Sequence, residues 1–168
     1  MTPKGLWTRV AAGVGAATAA LVLLDVPRPT DSVRPAGVAA ALGVLAGVTL
    51  FVALARAAPS FEPASPTLRI ARTGFILTWA GVEEILWRWL ALGALSARTG
   101  VPIALAISTL GFACMHSDNR RTHLVTGATF GAAYLASGQI IAAVLAHATY
   151  NTLLSESLGQ RRLVGRPA

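Results

Sequence analysis

The sequence predicts an all-α fold: a polytopic membrane helix bundle of about six transmembrane helices. Three observations carry that expectation. Apolar residues make up 54% of the 168 and charged residues only 12%, about half the charged share of an ordinary soluble domain. The apolar residues fall in runs that approach the ~20 residues a helix needs to cross a bilayer. Short clusters of proline, glycine and arginine separate the runs.

The first run is expected as a helix from about Leu6 to Leu24. Lys4 and Arg9 beside it resemble the start of a signal peptide, but Leu23-Leu24-Asp25-Val26-Pro27 lacks a small-x-small cleavage site, so an uncleaved helix is the better reading. Asp25 to Pro35 holds three prolines and reads as a loop, because proline removes a donor and restricts its predecessor. Helix two is expected from about Ala36 to Ala57. Both helices are rich in Ala and Gly, which lets neighbours approach closely. Neither suggests chemistry.

Pro59 to Thr67 is a second proline-rich loop, followed by Arg69, Arg72 and helix three to about Ala97. Helix four is expected over about Pro102 to His116, and helix five over Thr122 to Ala136. Both are short for full spans, so they are expected to tilt or to lie partly inside the protein. Gly127-Ala128-Thr129-Phe130-Gly131 forms a small-xxx-small face on helix five, a packing signal. Ser137-Gly138 ends that helix, and helix six covers Gln139 to about Leu154. Gln160 to Ala168 reads as a loose basic tail. The domain reading is thus 1–67, two helices and their loops; 68–158, a four-helix core; and 159–168, the tail.

The net charge of +7 raises the question of nucleic acid, but the basic residues lie in clusters between apolar runs and fit membrane orientation better. Six spans put Lys4, Arg9, Arg56, Arg69, Arg72, Arg120, Arg121, Arg161, Arg162 and Arg166 on one side, against Arg28, Arg34 and Arg98 on the other. The excess predicts both termini in the cytoplasm. Thirteen arginines to one lysine, with abundant alanine, hint at a GC-rich bacterial genome. The single cysteine, Cys114, excludes an internal disulfide and a Cys-rich metal site; in its apolar run it reads as a packing residue.

Glu83-Glu84-Ile85-Leu86-Trp87-Arg88 places three ionisable residues inside helix three. A carboxylate at mid-bilayer costs about 2.5–3.5 kcal/mol on insertion scales, so the pattern calls for a function. Glu84 and Arg88, four apart, can pair on one face. Glu83 lies about 100° around the helix and has no such partner. In low dielectric a lone carboxyl favours its neutral form until another group stabilises the charge, which is the tuning a general acid or base needs. The alternative is a mere neutralising pair beside an inert Glu83.

His116 shares a face with Phe112, and His147 with Asn151 four residues on. Taken alone, His116 reads as interfacial, while the His147–Asn151 pair reads equally as donors directed into the bundle interior or as polar glue between helices. His123 reads as interfacial, Asp118 and Asn119 as turn and capping residues, and Glu156 as solvated. Counting 1.5 Å per residue puts Glu83 about 15 Å from one surface and His147 about 12 Å from the other, so a water-filled cavity could join them.

Glu83-Glu84-x-x-x-Arg88, Phe112-x-x-x-His116 and His147-x-x-x-Asn151 occur in that order on separate apolar segments. This trio resembles the CPBP family of intramembrane proteases, also called Abi or CAAX-type proteases, which includes the Rce1 enzymes. The resemblance covers roughly Phe75 to Leu154, with Ser108-Thr109-Leu110-Gly111-Phe112 and Tyr134-Leu135-Ala136-Ser137-Gly138 also similar. Trp87 and Trp89 stand where the family often has Phe and Gly, and are expected to reshape the pocket wall.

The resemblance implies an intramembrane endopeptidase. Glu83 would activate water with help from His116, His147 and Asn151 would stabilise the oxyanion, and Glu84, Arg88 and Phe112 would support the site. It implies a cell-membrane location and a membrane-associated or transmembrane protein as substrate. No cofactor is favoured. The alternative within the enzyme class is a zinc site on Glu83, Glu84, His116 and His147, although no His-Glu-x-x-His pair is present. Outside it stands a non-enzymatic transporter or scaffold, against which the absence of internal repeats counts.

Overall fold

The computed structural model describes residues 3–55, 66–116 and 119–164. Every regular element among them is helical: α1 (Pro3–Leu23), α2 (Ala36–Ala55), α3 (Pro66–Glu84), a π-helical segment (Ile85–Leu92), α4 (Gly93–Thr99), α5 (Val101–Cys114), α6 (Arg120–Ser137) and α7 (Ile140–Val164). Glu84, Leu92 and Gly93 keep right-handed helical dihedrals, so α3, the π segment and α4 form one rod. The described chain is therefore six rods, in the order expected.

By length and composition one helix, α2, is long and apolar enough to cross a membrane, while Trp7–Leu23 and Val101–Cys114 are shorter apolar stretches. The remaining rods carry the polar residues of the site and of the bundle ends.

α7 is the centre of the bundle. Ala142, Ala143 and Ala146 are buried on it, and α2 packs along its length. The close approach comes from Gly43 and Gly47 of α2. A Cβ at Gly43 would strike the Ala142 carbonyl oxygen, and one at Gly47 the Ala146 carbonyl and the Thr149 side chain. Leu50, Phe51, Leu92, Phe112, Phe130, Tyr134 and Tyr150 fill the space around this axis as one core.

Several boundaries differ from expectation. α3 begins at Pro66, and the residues before it, 56–65, lie outside those described. His116 sits just beyond the end of α5 rather than within it. α7 continues to Val164, ten residues past the expected end, so most of the expected basic tail is helical; residues 165–168 are outside the description. Glu156 is correspondingly not solvated. It pairs with Arg72 of α3, which also donates to Ser155 Oγ at 2.8 Å. Cys114 is exposed rather than packed. Asn119 holds the N-cap position of α6 in a left-handed conformation, but its side chain makes no capping hydrogen bond. Asp118 lies outside the described residues.

The loop between α1 and α2 is fastened to the far end of the bundle. The Arg34 N–H donates to the Ser137 carbonyl at 2.8 Å, and the Gln139 side-chain amide donates to the Arg34 carbonyl. Gly138, at φ 67°, sits against the Ser32 carbonyl, where a Cβ would collide. A residue with both a positive φ and no room for a side chain must be glycine.

Candidate active site

The rod of α3 delivers two adjacent carboxyls into different surroundings. Glu84 is the last α-helical residue, fully buried. Arg88, also fully buried, brings Nε to 3.2 Å from Glu84 Oε2. Arg88 lies within the π segment, whose widened turns are uncommon and recur at functional sites. The guanidinium stands 4.9 Å from the centre of the Phe112 ring, a cation–π placement. It is admitted by the small face of α6: a Cβ at Gly127 would meet Phe112 and Arg88 Nη2, and one at Gly131 would meet Leu105 and the Arg88 stem. The Gly-xxx-Gly pattern thus packs an arginine against an aromatic ring.

α7 brings His147 over the pair from the other side. Its Nδ1 lies 2.8 Å from Glu84 Oε1. Since the carboxylate accepts, Nδ1–H donates and the second ring nitrogen, Nε2, is left to face the cavity. Phe130 stacks on the same imidazole, with ring centres 4.7 Å apart and planes 17° apart, and Phe112 meets it edge-on. The ring is fixed by one ionic hydrogen bond and two aromatic faces.

Glu83 points into the open side of this arrangement. Its Oε2 lies 3.6 Å from His147 Nε2 and its Oε1 lies 3.9 Å from His116 Nε2. Both distances exceed a direct hydrogen bond and suit bridging by water. His116 is oriented by its own helix end: Nδ1 donates to the Phe112 carbonyl at 2.9 Å, which again leaves Nε2 toward Glu83. Two histidines from different helices therefore present the same nitrogen to the two oxygens of one carboxyl.

These groups line a cavity of about 240 Å³ together with Trp79, His123, Thr126, Tyr150 and Asn151. All the residues singled out from the sequence meet here: Glu83, His116, Phe112, His147 and Asn151 on its wall, and Glu84 and Arg88 directly behind it. His123 is a correction. It is not merely interfacial but lines the cavity and stacks on His116, with centroids 3.8 Å apart and planes 18° apart. The signal was its spacing from Thr126 and Phe130, three and seven residues on, along one helical face.

Trp87 and Trp89 correct a second expectation, since neither is among the residues lining this cavity. Trp87 packs where a side chain at Gly111 of α5 would stand, and Trp89 lines a different cavity at the far end of the bundle. Among the described residues no group of three or more His, Cys, Asp or Glu side chains has a metal-holding arrangement. Glu84 and His147 Nδ1 are engaged with each other.

No curated protein and no solved structure matches the chain. The family model for type II CAAX prenyl endopeptidases of the Rce1-like kind matches residues 63–153, just over half of the chain, a span that holds every polar residue of the cavity and of the layer behind it. On that match the chain belongs to the Rce1-like family of type II CAAX prenyl endopeptidases.

Proposed function

We propose that this protein is an intramembrane endopeptidase that hydrolyses peptide bonds through a water activated by Glu83. The observation that carries the reading is the placement of Glu83 between His116 Nε2 and His147 Nε2 at 3.9 and 3.6 Å, in a cavity large enough for water and a peptide carbonyl. The family supplies the reaction class.

In this reading, water held by Glu83 and His116 gives its proton to the Glu83 carboxylate as its oxygen attacks the scissile carbonyl. The negative charge that develops on the carbonyl oxygen is met by donors already in place. Asn151 offers its side-chain amide. His147, with Nδ1–H held by Glu84, turns Nε2 to the same space and donates from it when that nitrogen carries a proton. Glu83 then returns its proton to the leaving amine, the C–N bond breaks, and a carboxylic acid and a free amine result. Arg88 neutralises Glu84 and keeps it from competing for the proton.

Metal-free hydrolysis is favoured over zinc because two of the four would-be ligands are held against each other. A chelator should leave cleavage intact; loss restored by zinc would establish the metalloprotease reading instead.

The membrane reading has its own support. α2 is apolar on nearly all faces, and large apolar side chains stand exposed on several helices, Leu45, Val52, Ile70 and Ile103 among them. Monomeric soluble proteins rarely present so much apolar surface. The proposed location is the cell membrane with six crossings and both termini cytoplasmic, and the proposed substrate is a membrane-associated or transmembrane protein. Proteomic comparison of host membranes containing wild-type protein or Glu83→Ala tests the function. Fragments that appear only with the wild type support it, and identical fragment sets contradict it.

A further inference from the structure

A second cavity, of about 380 Å³, lies at the end of the bundle where the α1–α2 loop meets the α6–α7 turn. Its wall includes Arg28, Trp89, Tyr134, Gln139, Ile140 and Ile141, and no acidic side chain is among its lining residues. None of the residues of the Glu83 cavity contributes to it.

Three independent features leave donors facing this space without acceptors. Arg28 is exposed and has no ion pair or hydrogen bond among the described residues. Tyr134 is 2% exposed, its ring held in the core, yet its hydroxyl has no hydrogen-bond partner among the described residues. Its hydroxyl is not sealed in the core but opens onto the cavity that Tyr134 lines. The third feature is the start of α7. The Ala142 N–H closes back on the Gln139 carbonyl at 3.1 Å, and the Gln139 N–H is taken by Ser137 Oγ at 3.2 Å. The N–H groups of Ile140 and Ile141 remain as the open donors of a 25-residue helix, at its positive end.

One guanidinium, one phenol and two backbone N–H groups are a donor set for a phosphate. The site is also preformed. The loop that carries Arg28 is tied to Ser137 and Gln139 through Arg34, and Gly138 admits it by lacking a side chain. Trp89 and Tyr134 beside an arginine at a bundle end form the aromatic and basic signature of headgroup depth. Leu23, Leu24 and Ile141 expose apolar side chains at the same end, which suits acyl chains.

We infer that this cavity binds an anionic phosphate ester through Arg28, Tyr134 and the N-terminus of α7, and that in the membrane the occupant is the headgroup of an anionic phospholipid. The lipid as source rests on the membrane reading above; the phosphate chemistry does not, and neither involves the Glu83 cavity.

The test is native mass spectrometry of the full chain in detergent, titrated separately with phosphatidylglycerol, phosphatidylcholine and inorganic phosphate. Phosphatidylglycerol should bind in preference to phosphatidylcholine. Arg28→Gln should weaken it by roughly tenfold or more and Tyr134→Phe by about fivefold, in line with charged and neutral hydrogen bonds. Both substitutions leave the fold's contacts in place, since Arg28 is exposed and the phenyl ring of Tyr134 is retained. Binding of inorganic phosphate alone, with the same sensitivity to both variants, would support the site and assign it to a soluble phosphate. Failure of both ligands to bind, or binding unchanged in both variants, overturns the inference.

Discussion

Glu83 and Glu84 are neighbours in the chain and opposites in the structure. Glu84 is fully buried, with Arg88 on one oxygen and His147 on the other. Glu83 faces a cavity, with His116 and His147 at water-length distances and the Trp79 side chain within hydrogen-bonding reach. The layer behind Glu84 is closed: aromatic rings, two glycines of α6 and an ion pair fill it. The region before Glu83 is open, and its polar atoms point into shared space. The same residue type thus takes two tasks by position alone. The closed layer fixes the geometry of His147, and the open region has room for chemistry. Substitutions behind Glu84 should therefore cost stability first, and substitutions before Glu83 should cost rate first.

The largest effect is expected from breaking the closed layer. Arg88→Leu leaves the Glu84 carboxyl buried without its cation and should cost about 3–5 kcal/mol, read as a lower thermal midpoint in detergent. An unchanged midpoint would mean the layer is not structural. On the open side, Asn151→Ala should slow cleavage about 10²–10³-fold, the usual loss for one oxyanion donor, while the midpoint stays at wild type. A fall in both together would erase the distinction between the two regions.

Gly127→Ala sharpens the boundary between them. Its Cβ would press Phe112 at 3.0 Å and Arg88 Nη2 at 3.4 Å, and overpacking of this kind costs about 1–3 kcal/mol. The midpoint should fall, and cleavage should fall with it, because Phe112 also carries the carbonyl that orients His116. The smallest effect concerns His123. Its stack on His116 is the type of aromatic contact worth about 0.5–1.5 kcal/mol. His123→Ala should reduce kcat by about two- to tenfold, and His123→Phe should restore most of it. If Phe failed to rescue, His123 would act through its nitrogens rather than its ring.

Much of this was legible before the fold. Polar residues inside apolar runs stand out, and the i to i+4 spacing of Glu84 with Arg88, Phe112 with His116 and His147 with Asn151 assigns each pair to one face. The six rods follow from the apolar runs and their proline and glycine breaks. What spacing does not contain is the distance between helices. That Glu83 reaches both histidines depends on packing at Gly43 and Gly47, where backbones close to contact, and at Gly127 and Gly131, which make room for the Phe112, Arg88 and Leu105 side chains. The π segment was hidden because nothing local in Ile85–Leu92 distinguishes its pitch from that of an α-helix. Glu156 and the C-terminal turns of α7 read as solvated until Arg72 appeared opposite them. His123 was obscured by its arginine neighbour, and its role emerges only when α5 lays His116 against it.

The central claim is that Glu83 acts on the reacting water and Glu84 does not. The direct test is single-turnover cleavage of a membrane-anchored peptide by purified Glu83→Gln, with the thermal midpoint taken on the same sample. The amide is isosteric and sits in the open region, so the midpoint should stay within about 2 °C of wild type, a shift below about 1 kcal/mol. Cleavage should fall about 10²–10⁴-fold, the contribution of a positioned general base. Cleavage at the wild-type rate by a correctly folded Glu83→Gln protein would contradict the account.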